Sequence, residues 1–167
     1  MRSNPIFVAL DLDDETDALL LAEQLSALVG GFKVGPRLLM RSSQSLVPNL
    51  SALGEVFVDC KFFDIPSTME ASVRAAFELG ARFVTVHASN GKEALSRLAQ
   101  AQIELNAIRP FDVLAVTVLT SFSQESLPPT QQVMSLEAQV EELASLALQS
   151  GLRGLVCSPL ELQKLRR

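Results

Sequence analysis

Three features of the sequence predict an α/β fold built on a parallel sheet. Short, continuous apolar runs such as Ile6-Phe7-Val8-Ala9-Leu10 read as strands covered on both faces. They alternate with longer segments whose apolar residues recur at helical spacing and stop at glycine. Polar or charged residues (Asp11, Lys33, Asp59, Lys61, His87, Thr120 and Ser158) stand where the runs end, and parallel strands would gather them on one rim.

In chain order, Ile6 to Asp11 is the first strand, after a short leader from Met1 to Pro5. Thr16 to Leu28 is its helix, with Leu19, Leu20, Ala22, Leu25 and Leu28 at periodic positions and Gly30-Gly31 as the stop. Phe32 to Gly35 is the second strand, Pro36 opens a helix reaching about Ser45, and Pro48 and Gly54 bound a connection. The third strand starts at Glu55; Pro66 pushes Ile65 toward extended geometry and opens a helix over Ser67 to Leu79, ended by Gly80. Arg82 to His87 is the fourth strand, followed by the loop Ala88 to Gly91 and a helix from Lys92 to about Leu105. Asp112 to Val118 is the fifth, followed by Leu119-Thr120-Ser121, the longest loop (Phe122 to Gln132) and a helix from Leu136 to Gln149. Gly154 to Cys157 is the sixth, and Pro159 opens a last helix running into Lys164-Leu165-Arg166-Arg167.

A repeat of about 25 to 30 residues per unit fits a (β/α)8 TIM barrel better than a Rossmann fold. No Gly-x-Gly-x-x-Gly or Walker-type loop follows a strand, which removes the usual nucleotide-cofactor reading. An eight-unit barrel needs at least about 200 residues. The expectation is therefore a single, incomplete barrel domain over residues 1–167, with about six βα units and open edges where strands seven and eight would pair.

With 48% hydrophobic residues the chain can bury a sizeable core, and its net charge of -5 without a basic run argues against nucleic acid or an anionic membrane as partner. Small anionic substrates remain compatible, because local lysines can outvote the global sign. Cys60 and Cys157 belong to no metal-type cluster and read as buried free thiols of a reducing compartment. The absence of a leader-type apolar segment or a run of about 18 apolar residues predicts a soluble, cytoplasmic protein.

The most informative stretch is the third strand, Glu55-Val56-Phe57-Val58-Asp59-Cys60-Lys61-Phe62-Phe63-Asp64. In an extended chain Asp59 and Lys61, two apart, project from one face while Cys60 points to the other. A strand end whose charges are merely solvated or paired is the ordinary reading of an isolated Asp-x-Lys. Three charges within six residues call instead for a compensating network, and such networks are where pKa values are tuned for chemistry. Asp64 can join it only if the following loop folds back or a second subunit supplies it. His87, the only histidine, reads as a hydrogen-bonded rim residue, and Thr120 and Ser121 could simply satisfy the end of strand five.

Asp59-x-Lys61-x-x-Asp64-Ile65-Pro66-x-Thr68 closely resembles the signature of the bacterial orotidine 5'-phosphate decarboxylases. Ala9-Leu10-Asp11, Lys33-Val34-Gly35, Thr85-Val86-His87-Ala88, Val116 to Ser121 and Gly154 to Ser158 match in order over nearly the whole chain. The resemblance implies a homodimeric barrel that decarboxylates orotidine 5'-monophosphate to uridine 5'-monophosphate without metal or organic cofactor. It further implies a charged tetrad of Lys33, Asp59, Lys61 and the Asp64 of a neighbouring subunit, with Lys61 as proton donor. Asp11 would bind the ribose, Thr120 would lie near the base, and Asp64, Ile65 and Thr68 would complete the neighbouring site. The family continues to a strand-seven loop and a strand-eight end that hold the substrate phosphate, so the resemblance also implies a C-terminally truncated chain. Two alternatives accompany it: a magnesium-dependent sugar-phosphate lyase such as a keto-gulonate phosphate decarboxylase or hexulose phosphate synthase, and a non-catalytic remnant. Ile65-Pro66-x-Thr68 directly after Asp64 favours the nucleotide enzyme over the sugar-phosphate lyase.

Overall fold

The computed structural model describes residues 4–166, so most of the leader, Met1 to Ser3, and Arg167 lie outside the described residues. Six parallel strands form one sheet in sequence order: β1 (Phe7–Ala9), β2 (Gly31–Val34), β3 (Glu55–Phe62), β4 (Phe83–His87), β5 (Asp112–Val116) and β6 (Gly154–Val156). Between them run α1 (Glu15–Leu25), α2 (Pro36–Leu39), α3 (Leu46–Ser51), α4 (Pro66–Glu78), α5 (Gly91–Asn106) and α6 (Leu136–Gln149), with α7 (Leu162–Leu165) last. Among the described residues β1 and β6 are the sheet edges.

Strand alternation divides the residues between two faces. Phe32, Val34, Val56, Val58, Val84, Val86, Val113 and Ala115 are buried in the main core, with Leu38, Leu50, Met69, Val73, Leu95 and Leu98 from the helices. Ala9, Lys33, Phe57 and Phe83 are register partners on the opposite face, which also carries Phe7, Asp59, Thr85 and His87. Aromatic contacts on that face measure how far the sheet curls. The Phe7 and Phe83 rings lie 5.4 Å apart, although three strand spacings, about 14 Å, would separate them in a flat sheet. Phe57 completes the triangle at 6.2 and 5.9 Å. Gly31 makes this possible: a Cβ there would strike the Glu55 carbonyl oxygen and lie 2.6 Å from the Phe7 ring. The sheet is thus a continuous arc of a (β/α)8 barrel wall, with the aromatic triangle near its amino-terminal end.

Several boundaries differ from those predicted. β1 is three residues long, although Leu10 N–H still donates to the Lys33 carbonyl at 2.8 Å, and α1 stops at Leu25 rather than Leu28. Asp14 caps α1, its carboxylate accepting from the N–H groups of Thr16 and Asp17. α2 ends at Leu39, and α3 occupies what was predicted to be a connection. Pro48 lies in the first turn of α3, where the missing N–H has no intrahelical partner to lose, so proline marks a helix start there rather than a break. β5 ends two residues before Val118, Cys157 falls just beyond β6, and both cysteines are free thiols but only half-buried. No helix among the described residues is long and apolar enough to cross a membrane.

Candidate active site

β2 and β3 carry Lys33 and Asp59 to the carboxyl-terminal rim, where Lys33 Nζ lies 3.2 Å from Asp59 Oδ2. Lys61 Nζ reaches Asp59 Oδ1 at 2.9 Å, so one carboxylate is held between two ammonium groups. The Thr85 hydroxyl donates to the same Oδ1 at 2.9 Å. Burial acts to raise the Asp59 pKa, but hydrogen bonds from Lys61, Thr85 and Lys33 outweigh it and hold the carboxyl below the usual range. Burial pushes the neighbouring Cys60 thiol up to about 11, reinforced by the Asp59 charge and opposed by Lys61. Cys60 is therefore a thiol rather than a thiolate at neutral pH.

Lys61 does not meet Asp59 by the alternation of an extended strand, which corrects the sequence-based expectation. β3 and β4 pair in register at Phe57 with Phe83 and Val58 with Val84, and next at Phe62 with Val86, so β3 spends four residues where β4 spends two. Lys61 sits in this bulge with φ +49°, the one positive φ outside glycine among the described residues. That conformation costs a side-chain-bearing residue about 1–2 kcal/mol. Its N–H, turned out of the ladder, donates to Thr85 Oγ1 at 2.9 Å. The bulge lets the ammonium group swing back onto Asp59 instead of standing parallel to it.

Asp64 is exposed, and its Oδ1 accepts the N–H of Ile65 at 2.7 Å. Among the described contacts it reaches neither lysine. Asn90 clamps the turn before it: the Asn90 amide donates to the carbonyls of Phe62 (3.1 Å) and His87 (2.9 Å), and its oxygen accepts the Asp64 N–H at 3.3 Å. Phe63 and Ile65, 65% and 64% exposed, project beside Asp64, and Thr68 is exposed on the first turn of α4. Asp11 is exposed just past β1, near the exposed Arg37–Asp13 pair, whose contacts of 2.9 and 2.7 Å are bidentate.

A cleft of about 880 Å³ opens beside this network, bordered by Lys61, Phe63, His87, Thr117, Gln139 and Leu143. The His87 ring packs edge-on against Phe63, centroids 6.0 Å apart, and burial, followed by the nearby Lys61 charge, lowers its pKa. Thr120, exposed in the turn after β5, lines a separate pocket of about 270 Å³ with Ser158 and Lys164. Sequence reasoning placed Lys33, Asp59 and Lys61 together but gave no role to Thr85 or Asn90. The available signal was weak: a polar residue at an inward position of an otherwise apolar strand, and an asparagine beside the glycine opening α5.

The sequence profile of the Orotidine 5'-phosphate decarboxylase / HUMPS family matches residues 4–167. The orotidine 5'-phosphate decarboxylase of Alcanivorax borkumensis is 43% identical over 160 residues, which cover 95% of this chain and 68% of that protein. Its counterpart in Paramagnetospirillum magneticum is 39% identical over 167 residues, covering 98% and 71%. Among solved structures, the orotidine 5'-phosphate decarboxylase of Lactobacillus acidophilus superposes with a TM-score of 0.84 at 33% identity, covering 98% of this chain and 75% of that one. A conserved protein of Geobacillus kaustophilus superposes with a TM-score of 0.88 at 28% identity, covering 97% and 77%.

Proposed function

The chain belongs to the Orotidine 5'-phosphate decarboxylase / HUMPS family, a premise from which we propose how its rim converts orotidine 5'-monophosphate to uridine 5'-monophosphate in pyrimidine biosynthesis. The observation that carries the mechanism is a single carboxylate, Asp59, held between the ammonium groups of Lys33 and Lys61 at the mouth of the sheet.

Breaking the bond between C6 and the carboxylate leaves its electron pair on C6, with no adjacent electron sink, while carbon dioxide departs. The site must stabilise that charge as it develops and then quench it. Lys61 does both: its ammonium group faces the nascent carbanion and transfers a proton to C6, then regains one from water. Lys33 and Asp59 hold Lys61 in place and bind substrate. Asp11 binds the ribose, and Thr120 contributes at the base.

Asp64, Ile65 and Thr68 serve a second copy of the chain in a homodimer. Asp64 and Ile65 are exposed on the turn before α4 and Thr68 on its first helical turn, and among the described contacts Asp64 reaches neither lysine of its own chain, which supports that reading. The protein acts in the cytoplasm on a small nucleotide. Both Asp59 oxygens are occupied by ammonium groups and a hydroxyl, which favours this reaction over a magnesium-dependent sugar-phosphate lyase.

The test is the loss of orotidine 5'-monophosphate absorbance with excess EDTA present: metal-independent formation of uridine 5'-monophosphate is expected. A requirement for magnesium would move the assignment to the sugar-phosphate lyases. Mixing Asp64→Ala with Lys61→Ala protein should restore roughly one working site per mixed dimer, because one of its two sites then combines an intact Lys61 with an intact Asp64 from the other copy. No recovery would return Asp64 to its own subunit's site.

A further inference from the structure

We propose that Thr85 is a positioning residue for the decarboxylation: its buried hydroxyl ties the backbone of Lys61 to the carboxylate of Asp59 and so sets where the proton-donating ammonium group stands. The inference rests on the assignment of Lys61 as proton donor made above.

Thr85 is fully buried in the middle of β4, so it touches the reaction only through its neighbours. Its Oγ1 accepts the Lys61 N–H at 2.9 Å and donates to Asp59 Oδ1 at 2.9 Å. The direction of both bonds is determined by chemistry, since an ionised carboxylate can only accept and a backbone N–H can only donate. The same Oδ1 receives Lys61 Nζ at 2.9 Å. A closed circuit results, from the Lys61 backbone through one hydroxyl to one carboxylate oxygen and back to the Lys61 side chain.

That circuit answers two demands of the bulge at once. Lys61 has left the strand ladder at φ +49°, and its N–H would lack this partner without Thr85. Asp59, half-buried, needs donors to remain ionised, and Thr85 supplies one that no change in lysine protonation can remove. Valine would fill the same β-branched space on β4 and do neither.

The experiment compares Thr85→Val and Thr85→Ser in the full chain. Thr85→Val should lower kcat on the order of 10²-fold, as a misplaced reacting group does. KM should stay within about threefold, because the substrate does not touch Thr85. Thr85→Ser, which keeps the hydroxyl, should retain kcat within about threefold. If Thr85→Val is insoluble, Thr85→Cys, of similar size but a weak donor, must show the same selective loss of kcat.

A second readout needs no turnover. The Asp59 carboxyl carbon, followed by NMR against pH, should titrate higher in Thr85→Val and unchanged in Thr85→Ser. A merely structural role would not produce that pattern. Wild-type kcat, or an unmoved Asp59 titration, in Thr85→Val overturns the proposal, as does equal damage in Thr85→Ser. Lys61→Ala, assayed in parallel, separates this failure from that of its premise. Turnover surviving Lys61→Ala overturns the proton-donor assignment and the proposal with it, whereas an inactive Lys61→Ala beside an unimpaired Thr85→Val removes only the role of Thr85.

Discussion

At the amino-terminal end of the sheet, Arg82 lies between two acids, 2.6 Å from Asp112 and 3.6 Å from Glu55; at the carboxyl-terminal end, Asp59 lies between two lysines. The two clusters are near mirror images in charge, yet their surroundings differ. Arg82 stacks on Phe83 at 4.3 Å, beside the Phe7–Phe57–Phe83 triangle, where β3, β4 and β5 run in regular register. Asp59 stands where the β3–β4 register slips, next to the one non-glycine residue with positive φ among those described, and Lys61 opens onto a cleft. The first cluster finishes a packed floor with one cation for two anions. The second holds one anion for two cations under backbone strain, leaving a local positive excess suited to an anionic substrate. Charge density alone does not single out the end proposed to be reactive; strain, an open cleft and an unneutralised sign do.

The sharpest way to break this comparison is to remove the defining group at the strained end. Lys61→Ala should lower decarboxylation about 10³-fold or more, since the proposed proton donor and its positive charge are lost together. Thermal unfolding of the same protein should change little, and Lys61→Gly should be more stable than Lys61→Ala by about 1 kcal/mol, because glycine adopts positive φ without penalty. Equal stabilities for the two variants would show that the strain at Lys61 does no more than offset the larger conformational entropy that glycine loses on folding. At the packed end the expected signature is reversed. Gly31→Ala drives a Cβ into the Glu55 carbonyl and the Phe7 ring and should cost about 3 kcal/mol in denaturant unfolding. A neutral result would mean that the aromatic triangle does not depend on the gap left by Gly31. The smallest effect should come from Arg82→Ala, whose half-exposed ion pairs contribute about 1 kcal/mol, with kcat unchanged. A substantial loss of rate in that variant would erase the distinction between the two ends.

Much of the fold was legible because periodicity reports burial. Apolar runs such as Ile6 to Leu10 and the spaced leucines of α1 declared strand and helix without reference to one another, and all six strands lie where they were predicted, to within a few residues. Lys33, Asp59 and Lys61 could be placed on a common rim because parallel strands put all their carboxyl ends on one side. The misreadings came from residues whose meaning is set by context. Pro48 reads as a breaker unless it falls in a first helical turn, as it does in α3. Asp59 and Lys61 look like neighbours on one strand face, whereas a bulge brings them together. Thr85 and Asn90 are ordinary polar residues until β4 is set beside β3.

By itself, then, the sequence determined the alternation of elements, the parallel sheet, and which charged groups stand at its carboxyl-terminal rim, because each follows from local chain chemistry and spacing of two or 3.6 residues. Tertiary structure alone decided the rest. The slip in register between β3 and β4, the positive φ at Lys61, the hydroxyl bridge from Thr85 and the room that Gly31 leaves for Phe7 all depend on which residue of one strand lies opposite which residue of the next. That pairing is settled by packing between segments more than twenty residues apart in the chain, and no local pattern encodes it.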